Sequence, residues 1–457
     1  MDLGFLDRER ERERLENALS APGGALVCLY GRRRLGKSKL LVEALRSREA
    51  VYYVGDDRAP PLQRAALARE MGRLVPGFEA VTYPDWEPLL ERWWKEAPRG
   101  AALALDEFPS LVAASPEFPS LLQKFVDRGG RHVALCGSSQ RMMQGLVLDT
   151  SAALYGRARE ILRLEPMSPY WLGRALRLGE PAEAVRHHGV WGGVPRYWEL
   201  AAEHAGLWPA VERLALEPLG VLHREPDRLL LDEMSEIGRA GSVLALAGQG
   251  CHRLSEIAGR LGLPATSLAR PLARLTELGF LERLAPFGDP ERSGKRSIYR
   301  IADPFLRFWY RFVEPNRSRL GPGQVAAVRR SIQADWPVHL GGIWEDLARW
   351  SAARLEIGGH RWTRGSRWWG RTRDGQPVEL DVLAEAEGEP GTVLAGEAKL
   401  RATERQIPGL LAAVERKAAA CPVVADRRIV PALWILEGVR SRRRPAVLTA
   451  RDVVRRP

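Results

Sequence analysis

Read for its apolar and polar positions, the chain opens with a polar, helix-forming stretch, FLDRERERERLENALS, and then turns apolar in GGALVCLY. An unbroken apolar run suits a strand buried on both faces of a parallel sheet. KSKLLVEALR follows with Leu40, Leu41 and Leu45 at helical spacing, so the unit reads strand, loop, helix. Two further runs, AALALDE (101–107) and HVALCGSS (132–139), end in polar residues and lie between helical segments. That alternation predicts a parallel sheet with its ligands at the carboxyl ends of the strands. Residues 161–220 read as helical throughout, with GGVPRY as a break.

From about 228 to 305 the pattern changes to three short helices and a hairpin. LSEIAGRLGL and TSLARPLARLTELG are amphipathic helices separated by a Leu-Pro turn, and FLERLAPFGDPERSGKRSIYRI reads as two strands about a Gly/Asp/Pro turn. This is a winged helix-turn-helix pattern. DPFLRFWYRFVEP (303–315) is aromatic and helical, a polar stretch over 316–335 reads as a linker, and the region from about 336 mixes helix with short strands. The expected boundaries are an α/β core over 1–160, a helical lid over 161–225, a winged helix-turn-helix over 226–315, the linker, and a last α/β domain over 336–457.

The length of 457 residues exceeds what one hydrophobic core supports. With 45% hydrophobic and 28% charged residues, the chain has apolar material to fold throughout. A formal charge of +12 points to an anionic partner, nucleic acid rather than membrane. Cys28, Cys136, Cys251 and Cys421 lie far apart without metal-type spacing and read as reduced thiols. No apolar run reaches the roughly 18 residues that cross a bilayer, and no secretory leader pattern opens the chain, so a cytoplasmic protein is expected.

GRRRLGKS fits G-x-x-x-x-G-K-[ST] with Gly31, Gly36, Lys37 and Ser38. In such a loop the backbone N–H groups curl around phosphate oxygens, Lys37 neutralises the β and γ phosphates, and Ser38 offers a hydroxyl to Mg²⁺. Lys39 follows at the start of a helix whose positive end faces the same phosphates. The nucleotide expected is ATP. Asp106, at the end of LALDE, is a candidate for the magnesium shell, and Glu107 for polarising the attacking water. Ser138 or Ser139, ending the next strand, either senses the γ-phosphate or lytic water or merely caps the strand. Arg157 in LYGRAR is a candidate arginine finger, within its own subunit or on a neighbour, which admits a homo-oligomer.

FLDRERERERL, GRRRLGKSKLL, LALDEFP, LCGSSQRMM, LYGRA and GGVPRYW occur in the order found in the archaeal-type ATPases, a branch of the STAND and AAA-like P-loop group. The chain resembles that family over about its first 310 residues, winged helix included. The resemblance implies a P-loop NTPase fold with a helical lid. It places Gly193 and Pro195 on the lid's G-x-P motif near the nucleotide, with Arg196 as a candidate second sensor. Arg12 stands where the family usually has an apolar residue.

In the winged helix, the helix beginning near Ser267 would present Arg270 and Arg274, with Pro271 in its first turn, and the wing would present Arg292, Lys295 and Arg296. These residues suit phosphate contacts in a DNA groove, while the alternative is an internal lid or protein contact, as in STAND-type ATPases.

PVELDVLAEAEGEPGTVLAGEAK (377–399) reads as two strands about an acidic spacer. Side chains alternate along a strand, so a hairpin lets Asp381, Glu397 and Lys399 converge. Two carboxylates suit Mg²⁺ or Mn²⁺, and a lysine beside them suits the charge that develops when a phosphodiester is cut. The arrangement is similar to the PD-(D/E)xK nuclease, or restriction-endonuclease-like, fold. That likeness places Glu345 of IWEDLARW on the preceding helix as a further acidic ligand and Gln406 on the following one, although the Pro before the first Asp is absent. RWTRGSRWWGRTR interleaves Trp362, Trp368 and Trp369 with arginines, either as a stacking surface for nucleic acid or as core. The expected protein is therefore an ATPase acting on DNA with a metal-dependent nuclease site under nucleotide control. The alternative is an ATP-gated switch or DNA-remodelling ATPase that cuts nothing.

Overall fold

The computed structural model describes residues 4–233, 237–290, 296–424, 426–439 and 446–456. The chain forms two compact units. One holds the chain up to Pro166 together with Val194–Arg196, and the other holds Met167–Gly193 and the chain from Tyr197 onward.

The first unit is built on five parallel strands: β1 (Leu26–Tyr30), β2 (Ala50–Val54), β3 (Ala102–Asp106), β4 (His132–Gly137) and β5 (Ala158–Arg163), in the order β2-β3-β4-β1-β5. Every residue of β1, β3 and β4 is buried, as their apolar sequences require. The helix Trp86–Glu96 starts on Asp85, whose side chain accepts the Glu87 N–H. It buries Trp86, Leu89, Leu90, Trp93 and Trp94, a stripe at helical spacing that packs into the same core as Leu103, Leu105 and Leu135. The expectation of helix throughout 161–220 fails at its start, because residues 161–163 belong to β5. That strand is at the sheet edge, and its charged Arg159, Glu160 and Arg163 hide the apolar run by which the inner strands are recognised.

The second unit contains the helix-turn-helix pair Leu254–Leu261 and Ala265–Glu277, followed by the hairpin β6 (Leu281–Leu284) and β7 (Ile298–Ile301). Leu268, Leu272 and Leu275 form the buried stripe of Ala265–Glu277. Pro271 is that helix's seventh residue and lies in its interior, not its first turn, because the helix already starts after Pro264. Arg292 and Lys295 of the expected wing lie outside the described residues. The stretch 316–335 is not a linker: Arg317–Leu320 is helical and Val325–Ala352 is one 28-residue helix. Only Val328 and Ile332 anchor its first turns in the core, too sparse a stripe to stand out among polar neighbours.

The last five strands are β8 (Ser366–Arg371), β9 (Pro377–Glu385), β10 (Thr392–Arg401), β11 (Arg428–Glu437) and β12 (Val447–Thr449), in the order β12-β11-β10-β9-β8. β8, β9 and β10 run antiparallel to their neighbours, and β10, β11 and β12 run parallel. Strand alternation divides the two faces. Val382, Ala384, Leu394 and Trp434 pack with Trp344 and Leu347 of the long helix, while Leu383, Val393, Leu433 and Ile435 pack with Val414 and Ala418 of the helix Ile407–Ala420. Trp362 and Trp368 are 1% and 2% exposed and belong to these cores, so they offer no stacking surface; Trp369 is half-buried.

The exposed edge of β8 is covered by the wing. Phe287 donates its N–H to the Arg367 carbonyl at 2.9 Å, and Arg296 donates to the Trp369 carbonyl. Among the described residues, no helix is long and apolar enough to cross a membrane. All four cysteines are free thiols, and Cys28, Cys136 and Cys421 are buried.

Candidate active sites

The phosphate-binding sequence occupies the turn between β1 and the helix Lys37–Leu45. Gly36 has φ +86°, with nothing near where a Cβ would project, and at Gly31 a Cβ would come within 2.7 Å of the Leu164 carbonyl. Glycine is thus required once by dihedral and once by close backbone approach. Lys37 is buried and donates to the Arg32 carbonyl at 3.1 Å, which curls its ammonium into the loop. Lys39 instead donates to the Gly4 carbonyl at 2.6 Å, toward the N-terminal segment.

Asp106 ends β3, beside Ser38. Burial raises its pKa, but hydrogen bonds from Cys136, Ser38, Tyr52 and the Glu107 N–H outweigh it and hold the carboxyl below its ordinary range. Tyr52 donates at 2.5 Å, and burial together with this bond keeps its phenol protonated. Glu107 sits at φ +48°, a left-handed conformation uncommon outside glycine and typical of residues held in place for a task. Ser138 donates its hydroxyl to Glu107 at 2.7 Å, so it positions that carboxylate, while Ser139 caps the helix Gln140–Val147 through the Met142 N–H. A carboxylate suited to a cation, a second suited to a water, and a lysine in a glycine loop meet at one end of the sheet.

Arg157 is not there. It precedes β5, whose Ala158 lies level with Leu26 at the start of β1. About five residues of strand at ~3.3 Å each separate it from the phosphate loop. Its guanidinium is paired with Asp127 at 2.7 and 3.0 Å. The finger role within its own subunit is therefore corrected. Pro195 opens the helix Pro195–Ala201, and Arg196 beside it is exposed; both belong to the phosphate-loop unit, while Gly193 falls in the other.

In the second unit the hairpin β9–β10 pairs Val382 with Gly396, so Asp381 and Glu397 follow on neighbouring strands. Asp381 accepts the Ala398 N–H at 2.9 Å. The two oxygens of Glu397 are held by Lys399 and by Lys417, each at 2.5 Å. Burial raises the Glu397 pKa, yet these two ammonium groups bring it below the ordinary value. Burial and the charge of Glu397 raise Asp381. Glu345, on the long helix, is pushed up to about 7 by burial and then by Asp381. Asp381 and Glu345 are thus raised first by burial and then by neighbouring like charge, an arrangement a cation relieves, whereas Glu397 is already neutralised by its two lysines. Among the described residues, no group of three or more His, Cys, Asp or Glu side chains is placed to hold a metal. The strands supply a pair, which suits Mg²⁺ keeping several of its waters. Gln406 does not face this pair, because its side chain accepts from the Thr403 N–H and hydroxyl in a cap.

Next to Glu345, Asp346 is bonded to Arg307 at 2.7 Å and also to Arg300 and Arg349. Arg349 in turn donates to the Asp381 carbonyl at 2.8 Å. Sequence reading passed over Tyr52, Lys417 and Asp346. Tyr52 gave only strand alternation, Lys417 is one of several polar helix positions, and the partners of Asp346 are distant in sequence.

A family described as an ATPase domain predominantly from Archaea matches residues 5–171. An IclR helix-turn-helix domain matches 239–285, and a family of archaeal and bacterial proteins of unknown function matches 309–409. An uncharacterised protein of Methanocaldococcus jannaschii is 29% identical over 388 residues, covering 83% of this chain and 84% of its own. The Walker-type ATPase of Pyrococcus abyssi is similar in structure with a TM-score of 0.52 at 20% identity, over 67% of this chain and 96% of that one. The chain thus carries an archaeal-type ATPase domain of P-loop fold and a helix-turn-helix domain.

Proposed function

We propose that the chain binds and hydrolyses ATP and acts on DNA, with a metal-dependent phosphodiesterase site in its C-terminal region under nucleotide control. At the ATP site, Lys37 neutralises the β and γ phosphates, Ser38 and Asp106 hold Mg²⁺, and Glu107, steadied by Ser138, takes the proton of the attacking water. Pro195 and Arg196, which belong to the phosphate-loop unit, complete the nucleotide site.

The observation that carries the second activity is the convergence of Asp381, Glu397 and Lys399 on adjoining strands, with Glu345 at their side. Asp381 and Glu397 would hold Mg²⁺ or Mn²⁺ as a pair, with water completing the shell, and Glu345, which the sequence offered as a third ligand, stays beside them without joining a three-carboxylate group among the described residues. When bound, the metal supplies charge stabilisation at a phosphodiester oxygen and a more acidic water. Lys399 lies on the same face as Glu397 and is placed to steady the charge that develops on the phosphate.

The test is incubation of the wild type and Asp381→Ala with linear, supercoiled and branched DNA, with Mg²⁺ or Mn²⁺, with and without ATP. Cleavage by the wild type alone is expected. Absence of cleavage by either protein, with ATP hydrolysis intact, would sink the nuclease reading.

A second reading rests on the docked wing. Arg296 and Phe287 are bonded to β8, which favours an internal role for the winged helix and an ATP-gated switch that cuts nothing. In that case Asp381→Ala would leave DNA or partner binding unaltered, and only nucleotide-site variants would change it.

A further inference from the structure

Between the winged helix and the long helix Val325–Ala352 lies a cavity of about 560 Å³, in the range of pockets that take small ligands. Its wall includes Arg300, Arg307, Arg311 and Arg367, with His339 and Glu345. Arg300 and Arg307 are committed to Asp346, and Arg367 to Glu379. Arg311 lies against the Phe312 ring and makes no ion pair among the described residues. Its guanidinium is therefore available to an anion, and a planar fork of this kind binds phosphate oxygens in pairs.

His339 supplies the second observation. It is 2% exposed, and its Nε2 lies 2.8 Å from the Gly189 carbonyl, so that nitrogen carries the hydrogen and donates. Burial keeps the ring neutral, with its pKa lowered to about 3. Nδ1 is then a bare acceptor, and it has no hydrogen-bond partner. His339 lines the polar cavity, and an orphaned acceptor at its wall is satisfied by a donor such as a hydroxyl. Arg311 is near enough to His339 to act on its charge, so an anion at the one and a hydroxyl at the other fit a single molecule.

The geometry points to this cavity as a binding site for a phosphate ester bearing a free hydroxyl, of the size of one nucleotide. The shared chemistry belongs to a free mononucleotide and to the phosphorylated end of a nucleic-acid strand alike. Glu345 lines both this cavity and the carboxylate group, so an occupant would report directly to that group. The inference goes beyond the nuclease reading and survives its failure, because binding here needs neither Asp381 nor Glu397.

The test uses the full chain carrying Lys37→Ala, to silence the phosphate loop, and calorimetric titration with thymidine, thymidine 5′-monophosphate and a 5′-phosphorylated oligothymidylate. The monophosphate should bind and thymidine should not. Arg311→Gln should weaken binding at least tenfold at unchanged melting temperature, Arg311→Lys should restore part of it, and Asp381→Asn should leave it intact. If the oligothymidylate binds as tightly as the monophosphate, the site takes strand ends; if only the monophosphate binds, it takes free nucleotide. Absence of monophosphate binding overturns the proposal. So does equal affinity in a folded Arg311→Gln protein, or a loss with Asp381→Asn as large as that with Arg311→Gln.

Discussion

Tyr52 and Asp106 share a 2.5 Å hydrogen bond beside the phosphate loop, and the phenol lies on a different strand from every residue the sequence motifs select. Tyr52→Phe removes one charge-assisted donor and leaves Asp106 with Ser38, Cys136 and the Glu107 N–H. ATP hydrolysis should fall about three- to tenfold, the effect of roughly 1 kcal/mol, as read from steady-state kinetics at varied Mg²⁺. Glu107→Gln should cut turnover by at least ~100-fold while nucleotide binding persists, because only the proton acceptor is lost. Equal turnover in Glu107→Gln would show that another group activates the water. The difference in legibility between these residues is physical. Gly31, Gly36 and Lys37 are fixed by a backbone geometry that few sequences satisfy, so they could be read directly. Tyr52 is defined by its partner strand, and strand pairing leaves no mark in the alternation of one strand. The same holds for Lys417, whose pairing with Glu397 depends on where the helix Ile407–Ala420 crosses the sheet.

At the scale of elements, the winged helix and the long helix beneath the last sheet are tied by a half-buried charge group. Asp346 faces Arg300 of β7, Arg307 of the helix Pro304–Phe308 and Arg349 of its own helix, and the three guanidinium groups hold its carboxyl far below the ordinary range. Asp346→Asn leaves the buried Arg349 and the half-buried Arg300 and Arg307 short of their counter-charge and should destabilise the second unit by about 2–3 kcal/mol, measured by urea unfolding. A loss under ~1 kcal/mol would mean that water already screens the group. The recognition-type helix makes a separate prediction. Arg270 is exposed, and Arg274 pairs with Glu277 at 2.6 Å. If this helix meets DNA phosphates, replacing both arginines should lower the salt dependence of binding by about one to two released ions, whereas Arg296→Ala should not, since Arg296 is spent on β8. The helix-turn-helix was visible in the sequence because its leucine spacing is local. The continuous helix over 325–352 was hidden, because its first turns bury only two residues and its Pro337 suggests a break.

For the whole molecule, acid stability follows from histidines buried neutral in the second unit. His187 is 5% exposed, and burial lowers its pKa to about 4; for His339 burial lowers it to about 3. In the unfolded chain both return to about 6.5, so between that value and the folded values the unfolded chain binds protons that the folded one refuses. The histidine contribution is therefore fully present above about pH 6.5 and is lost as pH falls toward 4, while Glu345, raised to about 7, binds its proton more readily in the folded chain and offsets part of that loss over the same window. The depressed pKa of Asp346 acts in the same direction at still lower pH, since protonating it frees its three arginines. In Glu345→Gln, which removes that offset, the melting temperature followed by tryptophan fluorescence should drop by on the order of 5 °C between pH 7 and pH 5, and by less in the wild type. His339→Gln keeps a side-chain N–H donor near the Gly189 carbonyl but does not titrate, so it should flatten part of that slope whatever its effect at pH 7. A melting temperature independent of pH over this window in Glu345→Gln would show that the imidazoles are hydrated in the folded protein, and with them the cavity that His339 lines.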